Sequence, residues 1–310
     1  TLYHFYTDTS CMKRKWIRRV SWILLTPIIL FVILMVLLYI PPVQNLLRRE
    51  VTAYASKATG MQIQVERIDL RFPLNLLVRG VEVIQQPDTL LSLESLNVRV
   101  QAWPLLKGKV EVDDVTLSQV AVNSADLIEG MQIKGVLGRF FLQSHGVDLS
   151  NETAVVNRAE LSDTHIQLLM NDTTTAPKDT TASAPVNWKV DLHQLKLKNI
   201  SFDMQLPADS LKMAAYIGEA TVDDAKADLK NQFYGLRQFL LSGASASYDT
   251  GEAGPTEGFD ASHMAVRNIR IGLDSLLYEG RNMNAVIREI TMEERSGLSI
   301  TSLTGRLFSN

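Results

Sequence analysis

Cysteine is almost absent from this chain of 310 residues, because Cys11 is the only one. It precedes a long uncharged run, so the rest of the chain can form neither a disulfide nor a cysteine-ligated metal site. The five histidines have no second ligand at metal spacing. We therefore predict a fold that depends on packing alone, with no metal and no cofactor.

Signatures of catalysis are also lacking, since the chain contains neither a Gly-x-Ser-x-Gly elbow nor a phosphate-binding loop. Two short patterns, Asp163 with His165 and Asp191 with His193, place a carboxylate and an imidazole on one face of a strand. Nothing supplies a third ligand or a nucleophile, so solvent-facing polar pairs are the simpler interpretation. We predict no catalytic residues and no enzyme activity.

Positive charge is sparse beyond residue 40, where 33 acidic residues outnumber 26 basic ones. This balance argues against a nucleic-acid partner.

Val20–Ile40 is a run of twenty-one residues without a charged side chain. About 20 apolar residues are enough for a helix to cross the hydrocarbon core, so the run predicts a transmembrane anchor. Five Lys and Arg residues between positions 13 and 19 predict that residues 1–19 are cytoplasmic and that the bulk of the chain is exported. A cleaved signal peptide is the alternative, but its apolar region spans only about 7–15 residues and ends at small residues. The proline and the aromatic residues that characterise the anchor are Trp22, Pro27, Phe31 and Tyr39.

The two ends of the sequence suggest a fragment of a longer protein. Met12 resembles a natural start, which makes residues 1–11 upstream or added sequence. The last residues form a strand-like run with no terminating signal.

Beyond the anchor, the apolar period changes from helical to extended. Residues 43–60 have apolar residues three and four apart and predict an amphipathic juxtamembrane helix that caps the first strands. Residues 61–170 alternate with a period of two and predict a first β-segment. Residues 171–187 predict a flexible loop, and residues 188–310 predict further β-repeats. Short turn signals between strands favour an antiparallel meander.

The alternation carries a regular interruption, in which two polar residues separate apolar neighbours. Leu93 and Leu96 are separated in this way, as are Val65 and Ile68. An extra residue forming a β-bulge would restore the facing and bend the strand, which predicts a curved, twisted sheet. Short turns at each interruption are the alternative. The segments Leu117–Val122, Leu197–Phe202 and Val266–Ile271 share the form apolar-x-x-branched-x-apolar, which indicates a loose repeat of hairpins.

An anchor followed by residues 60–123 resembles the N-terminal region of TamB proteins and the wider AsmA-like family. The shared pattern comprises Gly80, Val81, Val83, Pro87, Leu90, Leu91, Leu96, Leu105, Leu106, Gly108, Asp114 and Val115. The resemblance implies a mainly β fold: an extended, curved antiparallel sheet rolled into an open half-tube with an apolar lining. It relates this fold to chorein-type bridge lipid-transfer proteins. It also implies a Gram-negative inner-membrane protein that crosses the periplasm, with an outer-membrane barrel partner reached through a missing C-terminal region.

The leading hypothesis is a protein that carries phospholipid along this groove between inner and outer membranes. The candidate lining residues are Val81, Val83, Leu91, Leu93, Leu96, Val98, Val100, Val110, Val112, Val115 and Leu117. One alternative is an interaction protein whose strand edges assist assembly of outer-membrane barrels. Another is an adhesin or receptor ectodomain built as a closed sandwich.

Overall fold

The computed structural model describes residues 40–71, 74–101, 104, 111–128, 130–148, 151–171, 187–251 and 254–309. The predicted anchor residues Trp22, Pro27, Phe31 and Tyr39 lie outside these ranges, as do the basic flank and most of the predicted loop at 171–187. No helix within the described ranges is long and apolar enough to cross a membrane.

Twelve strands within these ranges form one sheet, in which each strand lies beside its neighbours in sequence. The first and last strands are its edges, so the sheet is open. The predicted mainly β fold is confirmed. The strands are β1 Gln62–Arg71, β2 Asn75–Gln85, β3 Asp88–Val100, β4 Val112–Asn123, β5 Met131–Asp148, β6 Thr153–Met170, β7 Lys189–Leu206, β8 Leu211–Asp228, β9 Phe233–Asp249, β10 His263–Glu279, β11 Asn282–Glu294 and β12 Ser299–Ser309.

The turns form where short polar residues and glycine accept positive φ. Between β8 and β9, Asp228 accepts a hydrogen bond from the Asn231 N–H at 3.1 Å, and Gln232 has φ +51°. Between β10 and β11, Gly280 has φ +62°. Such residues reverse the chain within a few positions, and the following strand pairs antiparallel.

One pair of neighbours departs from the predicted meander, because β6 and β7 are parallel. Each has 18 residues, which at about 3.3 Å per residue makes a strand roughly 60 Å long. The segment from Asn171 to Trp188 is long enough to return along that length. The prediction of antiparallel neighbours was therefore wrong here, since it took account of turn chemistry and not of the reach of this connection.

One α-helix lies along its whole length within the described residues, α1 at Pro41–Thr59. It ends where the sequence predicts, because Gly60 adopts φ +70° and closes the last turn on the Ser56 carbonyl. The helix packs against the outer edge of β1. A single-turn 3₁₀ helix at Pro207–Asp209 joins β7 to β8.

Candidate functional site

One face of the sheet is apolar from strand to strand. Directly paired residues in a ladder point to the same face, so the register defines rows that cross the strands. Leu96 pairs with Val78 on one side and Leu117 on the other, and Leu117 pairs with Phe140. This row reads Ile68, Val78, Leu96, Leu117, Phe140, Leu161, Leu197, Ala220, Leu241, Ile271, Ile290 and Leu303.

Rows on both sides of this one are apolar as well. The next row reads Leu70, Leu76, Val98, Val115, Leu142, Ala159, Leu195, Val222, Phe239, Leu273 and Ile287. On the other side lie Val65, Val81, Leu93, Val120, Leu137, Thr164, Ile200 and Ile217, and then Ala244 and Ile269. None of these residues is charged. We call this surface, made by the three rows and by the paired residues that continue from them on the same side of the sheet, the apolar face.

A transverse line of irregular residues explains how the apolar face continues across the polar interruptions. Ladder pairing skips one position in each strand from β1 to β8 at the same level, and no register shift accompanies the skip. At this level Gln119, Asp163 and Asn199 have φ between +49° and +54°. A left-handed residue between extended ones reverses the alternation, so apolar residues three positions apart share a face. The first break row comprises Glu66, Gly80, Glu94, Gln119, Gly138, Asp163, Asn199, Gly218 and Gly243; in β10 the left-handed residue is Asn268, which lies one position beyond Ile269 and outside this row.

The reversal is visible on the other side of the sheet too. Arg267 and Arg270, which are three positions apart and flank Asn268, line the same shallow depression. The sequence predicted that a β-bulge with one extra residue restores the facing of the apolar residues, separately in each strand. The structure corrects this for β1 to β9, where neighbouring strands break together and keep their register. True register shifts accompany the row only at β9–β10 and β10–β11.

Close packing holds adjacent strands together at this level. Asn199 donates a hydrogen bond to Asp163 at 2.8 Å. A Cβ atom on Gly138 would lie 2.7 Å from Cβ of Asp163, and one on Gly218 would lie 2.9 Å from the Gly243 carbonyl oxygen. These positions therefore require glycine because a neighbouring strand occupies the space.

A second break row crosses β6 to β9, six residues along each strand from the first, at Asn157, His193, Asp224 and Arg237. Here the gap is bridged by charge. Asp224 lies 2.7 Å from Arg237 and 3.3 Å from His193. The hydrogen bond from Arg237 lowers the pKa of Asp224, and the same bond raises the pKa of Arg237. Apolar pairs such as Leu192 with Ala225 continue beyond this row.

The opposite face of the sheet carries the charges. One of its rows reads Arg67, Arg79, Ser95, Ser118, Arg139, Ser162, Lys198, Glu219 and Ser242. Cross-strand ion pairs lie on this face, at 3.2 Å for Arg99 with Asp114 and 3.2 Å for Lys189 with Asp228. The sheet is thus strongly two-sided.

No second layer of the described residues covers the apolar face. Each strand packs against its sheet neighbours, and α1 packs against β1. No side chain in the described ranges is completely buried, and Val122 and Ile166 are each 39% exposed. Strands at about 4.8 Å spacing make this surface roughly 50 Å across. A contiguous exposed apolar surface of that size indicates a binding surface.

The predicted lining residues lie together on this face where they are described. They form the direct pairs Val81 with Leu93, Val83 with Leu91, Leu96 with Leu117, Val98 with Val115, and Val100 with Val112. Val110 lies outside the described residues. Their contact with lipid stays a prediction. The continuation of the apolar face through β5 to β11 was not predicted, although the repeated two-residue interruption in the sequence is a signal for it.

The two predicted aspartate–histidine patterns do not form pairs. Asp163 contacts Asn199, whereas His165 lies 2.6 Å from the Ser201 hydroxyl through Nδ1 and 3.5 Å from Asp203 through Nε2. His193 contacts Asp224, while Asp191 lies 3.7 Å from Lys226. Partners come from neighbouring strands because cross-strand side chains lie closer than those two positions apart in one strand.

Polar groups at one end of β10 and β11 fix the connections there. His263 is buried and places Nδ1 2.9 Å from Asp260. Its Nε2 lies 3.3 Å from Asp249 without an aligned hydrogen bond. Hydrogen bonds from Thr256 and Ser262 lower the pKa of Asp260. Hydrogen bonds from Ser296, chiefly from its side chain, lower the pKa of Glu294 to about 2. These contacts are structural, since they satisfy turn and strand-end backbone.

The described residues contain no group of three His, Cys, Asp or Glu side chains that could hold a metal ion. Fold and surface together define the class: an open, single-layer β-sheet with one apolar and one polar face. Comparison with protein-family models and with curated proteins gives no match.

Proposed function

We propose that this chain is a membrane-tethered conduit, without catalytic activity, that carries phospholipid acyl chains along the apolar face. The observation that carries the proposal is the unbroken run of uncharged rows from β1 to β11, uncovered by any other described layer. The resemblance to TamB and AsmA-like proteins supports the same conclusion. It also supports an inner-membrane anchor, a periplasmic sheet and delivery toward the outer membrane.

The free energy of acyl-chain binding to the apolar face is favourable but similar from strand to strand, which suits movement along the sheet rather than binding at one position. Each buried methylene contributes roughly 0.8 kcal/mol, so an acyl chain gains substantially from leaving water. Neighbouring rows offer almost the same apolar surroundings, and a chain that moves by one strand exchanges one set of contacts for an equivalent set. Headgroups stay in water beyond the sheet, so no specific headgroup pocket is required.

Site-specific photo-crosslinking tests the proposal. A benzophenone amino acid at Leu117 or Leu197 lies on the apolar face, whereas the adjacent positions Thr116 and Lys196 lie on the polar face. We expect phospholipid adducts, identified by mass spectrometry, only at the first pair. Equal labelling at both pairs, or none at Leu117 and Leu197 with the anchor still in the membrane, would overturn the proposal.

A charge placed on the same surface gives a functional counterpart. Leu117→Asp combined with Leu197→Asp should reduce co-purifying phospholipid severalfold, because a buried carboxylate opposes acyl contact. Thr116→Asp on the polar face is the matched control and should retain lipid. Loss of lipid from the control as strongly as from the double variant would contradict the expected two-sidedness.

A second candidate function is assistance to outer-membrane barrel assembly, through the outer-membrane partner that the same resemblance implies. Among the described strands, β12 is exposed along most of its length, whereas side chains of α1 cover the β1 edge. Exposed edges pair with strands of other proteins. Crosslinkers at Ser302 and Thr304 would give protein adducts under this alternative, and adducts confined to lipid at Leu117 would favour transport.

A further inference from the structure

We propose that α1 is an interfacial helix whose exposed apolar stripe lies in the same bilayer that residues 20–40 are predicted to span. The inference rests on the membrane tether of the proposed function. It adds a surface that the function does not require: a second, planar contact with the membrane that holds β1 at the bilayer.

The polar side of α1 is already occupied by the sheet. Gln44 donates to the Leu70 carbonyl at 3.3 Å, and Arg48 donates to the Glu66 carbonyl at 2.7 Å. Ser56 accepts from the Ile63 N–H at 3.1 Å. These side chains recur at multiples of four residues, so they form one side of the helix. They satisfy backbone groups that an edge strand would otherwise expose.

The apolar side is left in the open. Val51 is 51% exposed and Tyr54 is 77% exposed, and Ala58 is also exposed. These residues lie three and four positions apart, so they form one stripe along the helix. A surface helix normally turns its apolar stripe toward the core and its polar side to water. In this helix the Val51 stripe is exposed alongside the charged residues Glu50 and Lys57, which indicates an apolar partner for the stripe outside the described protein.

The position of the helix in the chain identifies the bilayer as that partner. The uncharged run ends at Ile40, which is also the N-cap of α1, and Pro41 and Pro42 begin the helix. The helix therefore starts where the predicted span leaves the hydrocarbon core. A tyrosine ring favours this interface. Since β1 carries the first residues of the apolar face, this contact places that end of the face beside the lipid source.

Spin labelling of the full chain in vesicles of phosphatidylcholine and phosphatidylglycerol tests the inference. In a Cys11→Ser background, labels at Val51→Cys and Tyr54→Cys should be severalfold more accessible to oxygen than to a water-soluble nickel chelate. A label at Asn45→Cys, which is exposed on a different side of the helix, is the matched control and should favour the chelate. Labels at 51 and 54 as accessible to the chelate as the control would overturn the inference.

Crosslinking at Leu117 in the same vesicles separates this inference from the proposed function. Lipid adducts at Leu117 with a hydrated α1 would refute the interfacial helix alone. A buried stripe on α1 without adducts at Leu117 would refute the conduit alone.

Discussion

Gly138→Ala places a methyl group in the first break row between β5 and β6. The added carbon would lie 2.7 Å from Cβ of Asp163, 2.9 Å from the Asp163 carbonyl oxygen and 3.2 Å from that of Ser162. Real Cβ contacts are essentially never under 3.0 Å. None of these three atoms belongs to the mobile end of a side chain, so the two strands themselves must move apart.

Overpacking of this kind costs about 1–3 kcal/mol. With a urea dependence of about 3 kcal/mol per molar for a sheet of this size, the unfolding midpoint should fall by roughly 0.3–1 M. Far-UV circular dichroism of the full chain in urea measures this shift directly, because the described fold is mainly strand.

Gly272→Ala is the matched control, since its nearest contacts would be at 3.6 Å and its backbone is unstrained. Its midpoint should be unchanged or slightly raised. Adding Asp163→Gly to Gly138→Ala removes the 2.7 Å contact and leaves the carbonyl contacts, so we expect partial recovery. Equal midpoints for the two alanine variants would refute the claim that β6 excludes a side chain at position 138.

Three further predictions follow from single contacts. Asn199→Ala should lower stability by about 1–2 kcal/mol, because alanine must hold φ +54° without the bond to Asp163; Asn199→Gly should lose less in thermal unfolding, and the reverse order would contradict this. Glu294 has its pKa lowered from 4.5 to about 2, so its contribution to stability is present above pH 4.5 and is lost as the pH falls toward 2. Glu294→Gln should flatten the pH dependence of the unfolding midpoint in that window, and an unaltered slope would count against the assignment. Ser56→Ala removes the acceptor of the Ile63 N–H and should speed hydrogen exchange at Ile63, corresponding to about 0.5–1.5 kcal/mol of lost protection; unchanged exchange would show that α1 does not cap the edge through this bond.

Much of the sheet could be predicted because its signals are local. Alternation of apolar and polar residues specifies a strand with one apolar side, and the interruption between Leu93 and Leu96 marks where the facing must be restored. The Gln86-Pro87 turn between β2 and β3 and the Gly60 helix end are equally local. Each of these features depends on residues within a few positions of one another.

The features that escaped prediction depend on residues far apart in sequence. That Gln119 and Asn199 occupy one level of the sheet follows only from the register of all intervening strands. The parallel pairing of β6 with β7 depends on where a long connection ends. The partners of His165 and His193 come from other strands, so a pattern within one strand paired them wrongly with Asp163 and Asp191.

The helix gives a subtler case. Its apolar spacing was apparent in the sequence and its position beside the first strands was predicted. The side of the helix that meets the sheet was not predicted. Hydrogen bonds between the Gln44 and Ser56 side chains and the backbone of the edge strand stabilise the observed orientation more than apolar contact through Val51 would. Leaving a buried backbone group without a hydrogen bond costs more free energy than burying one aliphatic side chain would provide.

The alignment of the break rows has a physical necessity that single-strand bulges lack. If one strand reversed its facing alone, its apolar residues beyond the break would lie beside polar residues of both neighbours. Breaking every strand at the same level keeps apolar residues paired on both sides of the row. Residues as distant in sequence as Gly80, Gly138 and Gly243 therefore have to occupy one level of the sheet for the apolar residues on both sides of it to stay paired.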